Sequence, residues 1–331
     1  MTLNNNKFNG KSIAVIGANG YLGSALVQAL CEKECKVIRV SSKKLRKIPN
    51  TINLIGSILE LDFCNEILKQ SEIIYLLSGN TSVNIAEKNP PHNLTTTLSP
   101  IKNIIQSARI NGKVPRLIFA STATVYGLTS TQSVDEKSSL KPETIYDLHK
   151  LFAEQLISYA SSKGHIEGTS LRLSNVYGPS LIFNSASDRG IINRAVRAAV
   201  KGENLELFGS GKYIRDYIYI TDVIESLIRS GYSANVSGEV FNIGTGEGNT
   251  VEYVYKLIAK ITEELAKKKI SISYSEWPLG SQIIEQRNFI ADIKKFKEIT
   301  GWTPQVRIHE GIKNLVHEVV TRQSNNLSDK R

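Results

Sequence analysis

The sequence Ser12-Ile-Ala-Val-Ile-Gly-Ala-Asn-Gly-Tyr-Leu-Gly23 decides which fold this chain of 331 residues adopts. Its first five residues form an apolar run that favours a buried strand. Three glycines follow in the spacing G-x-x-G-x-x-G, and a helical pattern begins at Tyr21. A strand, a glycine-rich turn and a helix in this order predict a loop that cradles phosphate groups, because the N–H groups and the dipole at a helix start attract anions.

The three glycines have separate predicted roles in holding the pyrophosphate of a dinucleotide. The first permits a tight turn, the second lets the backbone approach the phosphates, and the third lets helix and strand pack closely. A chance glycine turn is the alternative interpretation. The predicted cofactor-binding residues of this loop are Gly17, Asn19, Gly20, Tyr21, Leu22 and Gly23.

The end of the second predicted strand indicates which dinucleotide the loop binds. In NAD-binding proteins an acidic residue about 20 positions past the glycines bonds the adenosine ribose 2′-hydroxyl. Ser41, Ser42 and Lys43 stand at that place in this chain. Because hydroxyl groups and cations suit a 2′-phosphate, we predict that these residues bind NADP(H) in preference to NAD. The alternative is that the lysine only solvates a loop.

Strands and helices alternate through the first half of the chain, with further strands predicted at 36–40, 51–55, 72–77 and 114–120. This alternation of strands and helices predicts an α/β fold with a Rossmann-type doubly wound parallel sheet. Ligands bind beyond the carboxyl ends of such strands. We therefore expect Leu77, Ser78 and Gly79 to contact the cofactor and Thr81 to contact a substrate. Prolines at 90, 91 and 100 predict a loop before a helix at 101–111.

Tyr146 and Lys150 lie four residues apart, so they share one face of a predicted helix that begins near the N-cap candidate Thr144. A cation held near a tyrosine favours the phenolate and lowers the pKa of the phenol. Such a pair can move a proton at a carbonyl or an alcohol. Chance matches to this spacing are frequent, and the dinucleotide loop in the same half of the chain favours the catalytic interpretation. The predicted core stripe of the helix is Leu148, Leu151, Phe152, Leu156 and Tyr159.

The pattern changes after about Gly178 to short elements separated by turns. We predict a dinucleotide-binding domain at 1–178 and a smaller α/β substrate-binding part at 179–323. Because no linker separates them, the two should be interleaved. The polar residues 324–331 predict a disordered tail.

Composition narrows the class of protein. An apolar fraction of 41% and a charged fraction of 22% are typical of globular proteins, and no apolar run is long enough to span a bilayer. The three cysteines lack partners at metal-ligand spacing, so we expect no metal and a reducing, cytoplasmic compartment. The net charge of +10 is scattered and has no interleaved aromatic residues, so we expect neither nucleic acid nor a membrane as partner.

Taken together, the motifs resemble those of the extended short-chain dehydrogenase/reductases that modify nucleotide sugars, the UDP-galactose 4-epimerase type with its dehydratase and ketoreductase relatives. The resemblance spans residues 11 to about 320. Besides the glycine loop and the Tyr146/Lys150 pair, it rests on Ser121-Thr-Ala-Thr-Val-Tyr-Gly127, Leu171-Arg-Leu-Ser-Asn-Val-Tyr-Gly-Pro179, Arg215-Asp-Tyr-Ile-Tyr219, Phe241-Asn-Ile-Gly244, and Arg287 followed by Asp292 and Gly301-Trp302.

The resemblance implies a set of roles. Tyr146 would be the catalytic acid/base, Lys150 would bond the nicotinamide ribose, and Thr122 would bond the sugar oxygen at the reacting carbon. A diphosphate clamp would consist of Asn175, Arg215 and Arg287, which suits the planar fork of a guanidinium. The resemblance also implies a homodimer formed through a helix pair that includes the Tyr146 helix. His149 is expected to be an ordinary helix-face residue.

Two departures from the family pattern concern the reaction and the surroundings of the nicotinamide. Dehydratases carry an acidic pair directly after the hydroxyl residue, and Ala123 and Thr124 occupy those places here, so we do not expect dehydration. The fourth strand ends in Leu76-Leu-Ser-Gly79 instead of the His-Ala-Ala type of motif.

Three functions remain at this stage. The first is an NADPH-dependent reductase that transfers hydride to C4 of a nucleotide-linked 4-keto-6-deoxyhexose. The second is a nucleotide-sugar 4-epimerase with tightly bound NAD(P). The third is a non-catalytic module that binds a dinucleotide or RNA, which the retention of Thr122, Tyr146 and Lys150 argues against. The sequence leaves the nucleotide and the sugar open.

Overall fold

The computed structural model describes residues 5–129, 133–180 and 190–328. In chain order the strands are β1 (Ser12–Ile16), β2 (Lys36–Ser41), β3 (Thr51–Ile55), β4 (Ile73–Leu76), β5 (Arg116–Thr122), β6 (Ser133–Val134), β7 (Glu167–Leu173), β8 (Asn175–Tyr177), β9 (Leu205–Phe208), β10 (Ile214–Tyr219), β11 (Val240–Ile243), β12 (Gly248–Thr250), β13 (Ile272–Ser275) and β14 (Ile290–Ala291). The helices are α1 (Tyr21–Cys31), α2 (Leu61–Gln70), α3 (Val83–Lys88), α4 (Pro90–Ile110), α5 (Ile145–Ser162), α6 (Ile191–Lys201), α7 (Ile220–Tyr232), α8 (Val251–Ala266), α9 (Lys294–Thr300) and α10 (Ile308–Ser328).

Seven parallel strands of these residues form the main sheet, in the order β11-β7-β5-β4-β1-β2-β3. Strands β2 and β3 are added on one side of β1, and β4, β5, β7 and β11 are added on the other side. The predicted Rossmann-type α/β fold is confirmed. A crevice therefore opens at the carboxyl ends of β1 and β4, where a sheet of this kind binds its ligands.

The side chains of β1 alternate between two apolar cores, one on each face of the sheet. Val15 packs into the core that includes Leu26 of α1 and Leu227 of α7. Ile16 packs into the core that includes Ile67 of α2 and Ile104 of α4. Both faces of the sheet are covered, which explains why its strands read as continuous apolar runs.

The second half of the chain contributes to the main sheet as well as to smaller ones. Strand β11 pairs with β7 in parallel register, with Val240 opposite Ser170. Helix α7 packs against α1 on the same face. The remaining strands form three small sheets, β12-β10-β8, β13-β9 and β14-β6. The two halves of the chain are thus interleaved.

The predicted loop around the prolines is instead the start and middle of α4. Asn89 caps this helix by accepting a hydrogen bond from the His92 N–H at 3.2 Å. Prolines at 90 and 91 fall in the first turn, where the missing N–H would have had no partner. Pro100 lies inside the helix and is buried. Whether a proline interrupts a helix therefore depends on its position in the helix more than on the number of prolines in the segment.

The predicted apolar stripe of α5 is only partly correct. Phe152 and Tyr159 are 40% and 62% exposed, while Asp147, His149 and Glu154 are buried. His149, expected on an ordinary helix face, accepts a hydrogen bond from the Asn93 amide at 2.8 Å. Polar side chains can face inward here because each finds an internal partner.

Helix α10 extends to Ser328, five residues into the segment for which the sequence predicts disorder. Glu318 and Arg322 form an ion pair one turn apart, and the Ser324 hydroxyl donates to the Val320 carbonyl at 3.2 Å, so local contacts continue the helix. Residues 329–331 lie outside the described part of the chain. Among the helices described, none combines the length and apolar content needed to cross a lipid bilayer.

Candidate active site

A cavity of about 700 Å³ lies at the carboxyl ends of the main-sheet strands. One wall comes from the ends of β4, β5 and β7 and from α5, and the other comes from β10 and the segment 277–287. The predicted site residues that line it are Tyr21, Leu22, Leu77, Ser78, Gly79, Thr81, Thr122, Tyr146, Lys150, Asn175, Arg215 and Arg287. Those that lie outside its lining are Gly17, Asn19, Gly20, Gly23, Ser41, Ser42 and Lys43, at the adjoining ends of β1 and β2.

The glycine loop has the close contacts that a phosphate cradle requires. Gly17 has φ +88°, and a Cβ atom there would lie 2.8 Å from the Ser78 backbone nitrogen. A Cβ atom on Gly23 would lie 2.1 Å from the Gly17 carbonyl oxygen. Gly20 caps α1 without a side chain, so no side chain competes for the N–H groups of the first turn. The loop fits a pyrophosphate group.

Two side chains beside this loop refine the predicted contacts. The Tyr21 hydroxyl donates to the Gly178 carbonyl at 3.0 Å, so this residue can offer an anion only its backbone. The Ser78 hydroxyl is buried and has no hydrogen-bond partner within the described chain. Because a buried unpaired hydroxyl is costly, its place in the cavity wall suits a bound polar ligand.

At the end of β2, the Ser41 hydroxyl accepts a hydrogen bond from the Lys43 N–H at 3.1 Å. Val40 pairs with Ile16, so this turn adjoins the glycine loop. Ser41 ends β2, and Ser42, Lys43 and Lys44 follow it. A ligand that reaches this edge from the loop therefore meets hydroxyl groups and cations there.

Lys150 is held in the floor of the cavity although it is only 7% exposed. Its Nζ donates to the Ala120 carbonyl at 2.8 Å and lies 5.9 Å from the centre of the Tyr146 ring. Thr144 caps the helix by accepting from the Asp147 N–H, as the sequence predicts. Burial lowers the pKa of Lys150 to about 8, and nearby Glu154 acts in the opposite direction. The structure thus places an ammonium group one turn from the predicted acid/base.

A buried ion pair supports this floor from behind. Glu154, one turn beyond Lys150, pairs with Arg172 of β7 at 2.7 Å, and both side chains are almost fully buried. Arg172 also donates to the Tyr126 hydroxyl at 2.8 Å. The Ser121 hydroxyl donates to Glu154 in a short contact. These bonds tie α5 to the end of β5, which carries Thr122.

Thr122 continues into a chain of hydrogen bonds that sequence reasoning missed. Its Oγ1 lies 2.8 Å from Oγ1 of Thr124, and the Thr124 hydroxyl in turn donates to an Asp147 carboxylate oxygen in a short contact. The second carboxylate oxygen accepts from the Thr144 hydroxyl at 2.7 Å. Burial raises the pKa of Asp147. An acidic residue three positions after an N-cap threonine was the available sequence signal, but the link to Thr124 depends on the tertiary fold.

Arg215 and Arg287 face the cavity from the opposite wall. Arg215 donates to the carbonyls of Ile214 and Glu285, at 3.2 and 2.6 Å, and Arg287 donates to Asn175 at 3.2 Å. Burial, with repulsion from Arg287, lowers the pKa of Arg215 to about 9. Within the described residues neither guanidinium has a carboxylate at ion-pair distance. Arg215 is buried, Arg287 is partly buried, and two guanidinium groups so placed are suited to a multiply charged anion.

An aromatic cluster at the outer end of the cavity was also missed. The Trp277 ring centre lies 5.8 Å from that of Phe208 and 6.0 Å from that of Tyr213. Trp277 Nε1 and the Tyr217 hydroxyl are buried without hydrogen-bond partners in the described residues. Aromatic residues are frequent in 205–219, but the approach of Trp277 from a distant segment is not visible in the sequence.

The cavity therefore combines a phenol and an ammonium on one helix face, a threonine hydroxyl and two guanidinium groups, and the glycine loop adjoins it. Histidine, cysteine, aspartate and glutamate side chains form no group of three or more that could hold a metal ion, as far as the described residues extend. Chemically, the arrangement can bind a dinucleotide beside a phosphorylated ligand, and the phenol can exchange a proton with that ligand.

Known proteins with similar sequences act on nucleotide sugars. The UDP-N-acetyl-alpha-D-glucosaminuronate decarboxylase of Bacillus cytotoxicus is 27% identical over 319 residues, which cover 92% of this chain and 97% of that protein. The dTDP-4-dehydro-6-deoxyglucose reductase of Escherichia coli is 26% identical over 324 residues, with 93% and 97% covered. These two relatives catalyse different reactions.

The fold of the whole chain also matches that of solved structures. The crystal structure of the UDP-glucose 4-epimerase of Thermotoga maritima with UDP-glucose superposes with a TM-score of 0.83 at 27% identity, covering 95% of this chain and 99% of that one. The sequence model of the NAD dependent epimerase/dehydratase family matches residues 13–244, well over half of the chain. The protein belongs to the NAD dependent epimerase/dehydratase family.

Proposed function

We propose that this protein is an NADP-dependent oxidoreductase that transfers hydride at C4 of a nucleotide-linked sugar, and that it reduces a nucleoside diphosphate 4-keto-6-deoxyhexose. The observation that carries the proposal is the meeting of Thr122, Tyr146 and Lys150 in one cavity with the Arg215–Arg287 pair. The first three suit proton transfer at a sugar oxygen, and the two guanidinium groups suit the diphosphate of the same molecule. Residues 1–178 would bind the cofactor, and 179–323 would supply much of the sugar nucleotide site.

The cofactor would be held by the glycine loop, by Ser78 and by Lys150. Nicotinamide supplies the hydride, and the protein orients it and provides the proton. The unpaired Ser78 hydroxyl and the close approach of Gly17 to the end of β4 support this placement. The serines and lysine after β2 support NADP over NAD, because they offer donors to a 2′-phosphate and place no carboxylate against it.

In the proposed reaction Tyr146 donates its phenolic proton to the keto oxygen as the carbon is reduced. Thr122 bonds the same oxygen and holds it against the phenol. Lys150 stabilises the phenolate that remains, since an ammonium group one turn away lowers the cost of the negative charge. A positioned acid of this kind contributes about 10²- to 10⁴-fold to the rate.

The diphosphate would lie between Arg215 and Arg287, with Asn175 as a further contact. Among residues 5–129, 133–180 and 190–328, neither guanidinium has a carboxylate within ion-pair distance, and the repulsion that Arg287 exerts on Arg215 would be relieved by two phosphate charges. Charge-assisted bonds to phosphate are about twice as strong as neutral ones. This remote binding energy would fix the sugar at the reacting end of the cavity.

A 4-epimerase is the second candidate. The similarity to the Thermotoga maritima enzyme with UDP-glucose supports it, because oxidation and re-reduction at C4 would use the same three residues. We rank reduction first because the residues after β2 suit NADPH, which usually serves net reduction, and because the Escherichia coli relative is a reductase. A binding module without activity would have no use for Thr122, Tyr146 and Lys150 in one cavity.

We further propose that the protein is a homodimer in a reducing, cytoplasmic compartment. Leu94 of α4 and Phe152 and Tyr159 of α5 are 39%, 40% and 62% exposed, and the two helices are neighbours. An exposed apolar face of this kind is suited to a partner surface. Cys31, Cys35 and Cys64 are all free thiols, in keeping with a reducing environment.

The proposal is tested by incubating the purified protein with a panel of nucleotide sugars and their 4-keto-6-deoxy derivatives, with and without NADPH, and following the products by mass spectrometry. We expect one or more 4-keto sugars to gain two mass units only when NADPH is present. Interconversion of two nucleotide sugars without added NADPH, by protein that carries bound cofactor, would replace the reductase with the epimerase. Loss of carbon dioxide from a sugar acid would contradict both.

A further inference from the structure

Thr122, Thr124 and Asp147 form a chain of hydrogen bonds. The number of protons on these three side chains determines which group donates in each bond. An ionised carboxylate only accepts hydrogen bonds, so the single hydroxyl proton of Thr124 points to Asp147. The 2.8 Å bond between the two threonines must then be donated by Thr122. Since Thr122 Oγ1 already accepts from the Thr124 N–H at 3.2 Å, one lone pair remains for the cavity. In this state Thr122 can accept a hydrogen bond from a ligand, but its own proton is engaged.

Protonation of Asp147 reverses the chain. A neutral carboxyl group can donate to Thr124, and the hydroxyl proton of Thr124 can then turn to Thr122. The Thr122 hydroxyl can then rotate so that its proton points into the cavity, where Tyr146 also lies. Thr122 then acts as a donor, which is what a ketone oxygen requires.

We propose that Asp147 is a positioning residue that sets the direction of the Thr122 hydroxyl through Thr124, so that the site favours a sugar alcohol when Asp147 is ionised and a sugar ketone when Asp147 is protonated. This inference rests on the function proposed above. It concerns a residue that does not line the cavity and acts through one that does. It also gives the threonine after Ala123 a role that sequence comparison with dehydratases does not suggest.

The surroundings of Asp147 allow such a change of charge. The side chain is fully buried, and burial raises its pKa, while the Thr124 and Thr144 hydroxyls and the Arg287 guanidinium lower it. Glu87 of α3 lies at the same helix end, where it accepts from the Ile145 N–H at 2.7 Å. On its own helix the nearest titratable groups are Tyr146, His149 and Lys150.

A purely structural role for Asp147 makes different predictions. The residue stands three positions after the N-cap Thr144, and the two exchange hydrogen bonds in the manner of a capping box. If capping were its whole role, changing Thr124 would leave the pH dependence of the reaction unaltered. Changing Thr124, which takes no part in the cap, therefore distinguishes a positioning role of Asp147 from a purely structural one.

The test compares Thr124→Val, which removes the hydroxyl at nearly constant volume, with the conservative control Thr124→Ser. For the parent protein we expect kcat/KM of ketone reduction to fall by about tenfold between two plateaus as Asp147 ionises, the value of one hydrogen bond. Thr124→Val should lose this step because Thr122 is free to donate at every pH, and Thr124→Ser should keep it. An identical pH profile in all three proteins would overturn the proposal.

A second readout does not depend on turnover. The carboxyl carbon of Asp147 can be titrated by ¹³C NMR, and Thr124→Val should raise its pKa because the carboxylate loses a donor. Thr124→Ser should leave the titration unchanged. An unmoved titration in Thr124→Val would overturn the relay even if the enzyme is active. A parent protein that turns over no sugar in the panel would instead overturn the proposed function, and with it the role of Thr122.

Discussion

At the scale of single residues, Lys150 is a group whose positive charge burial opposes. It is buried beside the Phe119 ring, 4.5 Å from the ring centre, and its Nζ donates a hydrogen bond to the Ala120 backbone carbonyl. Burial lowers its pKa from the ordinary 10.5 to about 8, and Glu154 limits the shift. A lysine poised in this way is charged at neutral pH but loses its proton within the range in which enzymes are assayed.

This shift predicts opposite pH trends for activity and stability. Turnover should fall as the pH rises through about 8, because Tyr146 loses the cation beside it. Between pH 8 and 10.5 the unfolded chain still binds the Lys150 proton while the folded protein has released it, so the free energy of unfolding should rise by up to about 3 kcal/mol relative to Lys150→Met. Chemical denaturation of both proteins at several pH values measures the difference. A constant difference would contradict the assignment.

At the scale of the elements, the sequence predicted the strands well and the helix faces less well. The apolar runs place β1, β2 and β3 within one residue of their observed bounds, and the glycine loop places the start of α1 at Tyr21, because buried parallel strands and tight turns leave clear local signals. Helix α4 begins at Pro90 because a first turn tolerates proline, and α5 turns Lys150 and Glu154 inward because partners on β5 and β7 satisfy them. Those partners are distant in sequence, so local periodicity could not reveal them.

The residues at the end of β2 predict the cofactor preference. Ser41→Asp should weaken NADPH binding by about tenfold or more and favour NADH, because a carboxylate would bond a ribose 2′-hydroxyl and repel a 2′-phosphate. Titration of intrinsic fluorescence with each cofactor measures both affinities. Ser237→Asp, at an exposed serine far along the chain, is the matched control for added charge. If Ser41→Asp leaves the ratio of the two affinities unchanged, the proposed NADP preference is wrong.

At the scale of the whole molecule, the cavity depends on contacts that no stretch of sequence contains. Arg287 reaches Asn175 across 112 positions, and Trp277 packs on Phe208 from a separate segment. The sequence motifs predicted which residues line the wall formed by β4, β5 and α5. Each of these residues either follows the end of a strand or lies one helix turn from another site residue. They could not place the aromatic cluster or the link from Thr124 to Asp147, which exist only once the halves of the chain are interleaved.

The exposed apolar face of α4 and α5 predicts a dimer. We expect the parent protein to sediment as a dimer and Phe152→Glu with Tyr159→Glu to sediment as a monomer, because burying two carboxylates in an apolar interface is costly. Tyr253→Glu, at a 48% exposed site on α8, should leave the dimer intact. Analytical ultracentrifugation distinguishes the states. A parent protein that is monomeric at every concentration would contradict the proposed dimer.

The most direct test of the central claim is the turnover of Tyr146→Phe beside that of Tyr159→Phe. Both changes remove one phenolic hydroxyl from α5, but only the first lies in the cavity, and the second is 62% exposed. We predict that Tyr146→Phe loses at least about 100-fold in kcat while its affinity for NADPH stays within about twofold. Tyr159→Phe should react at the parent rate. Parent-like turnover by Tyr146→Phe would contradict the account.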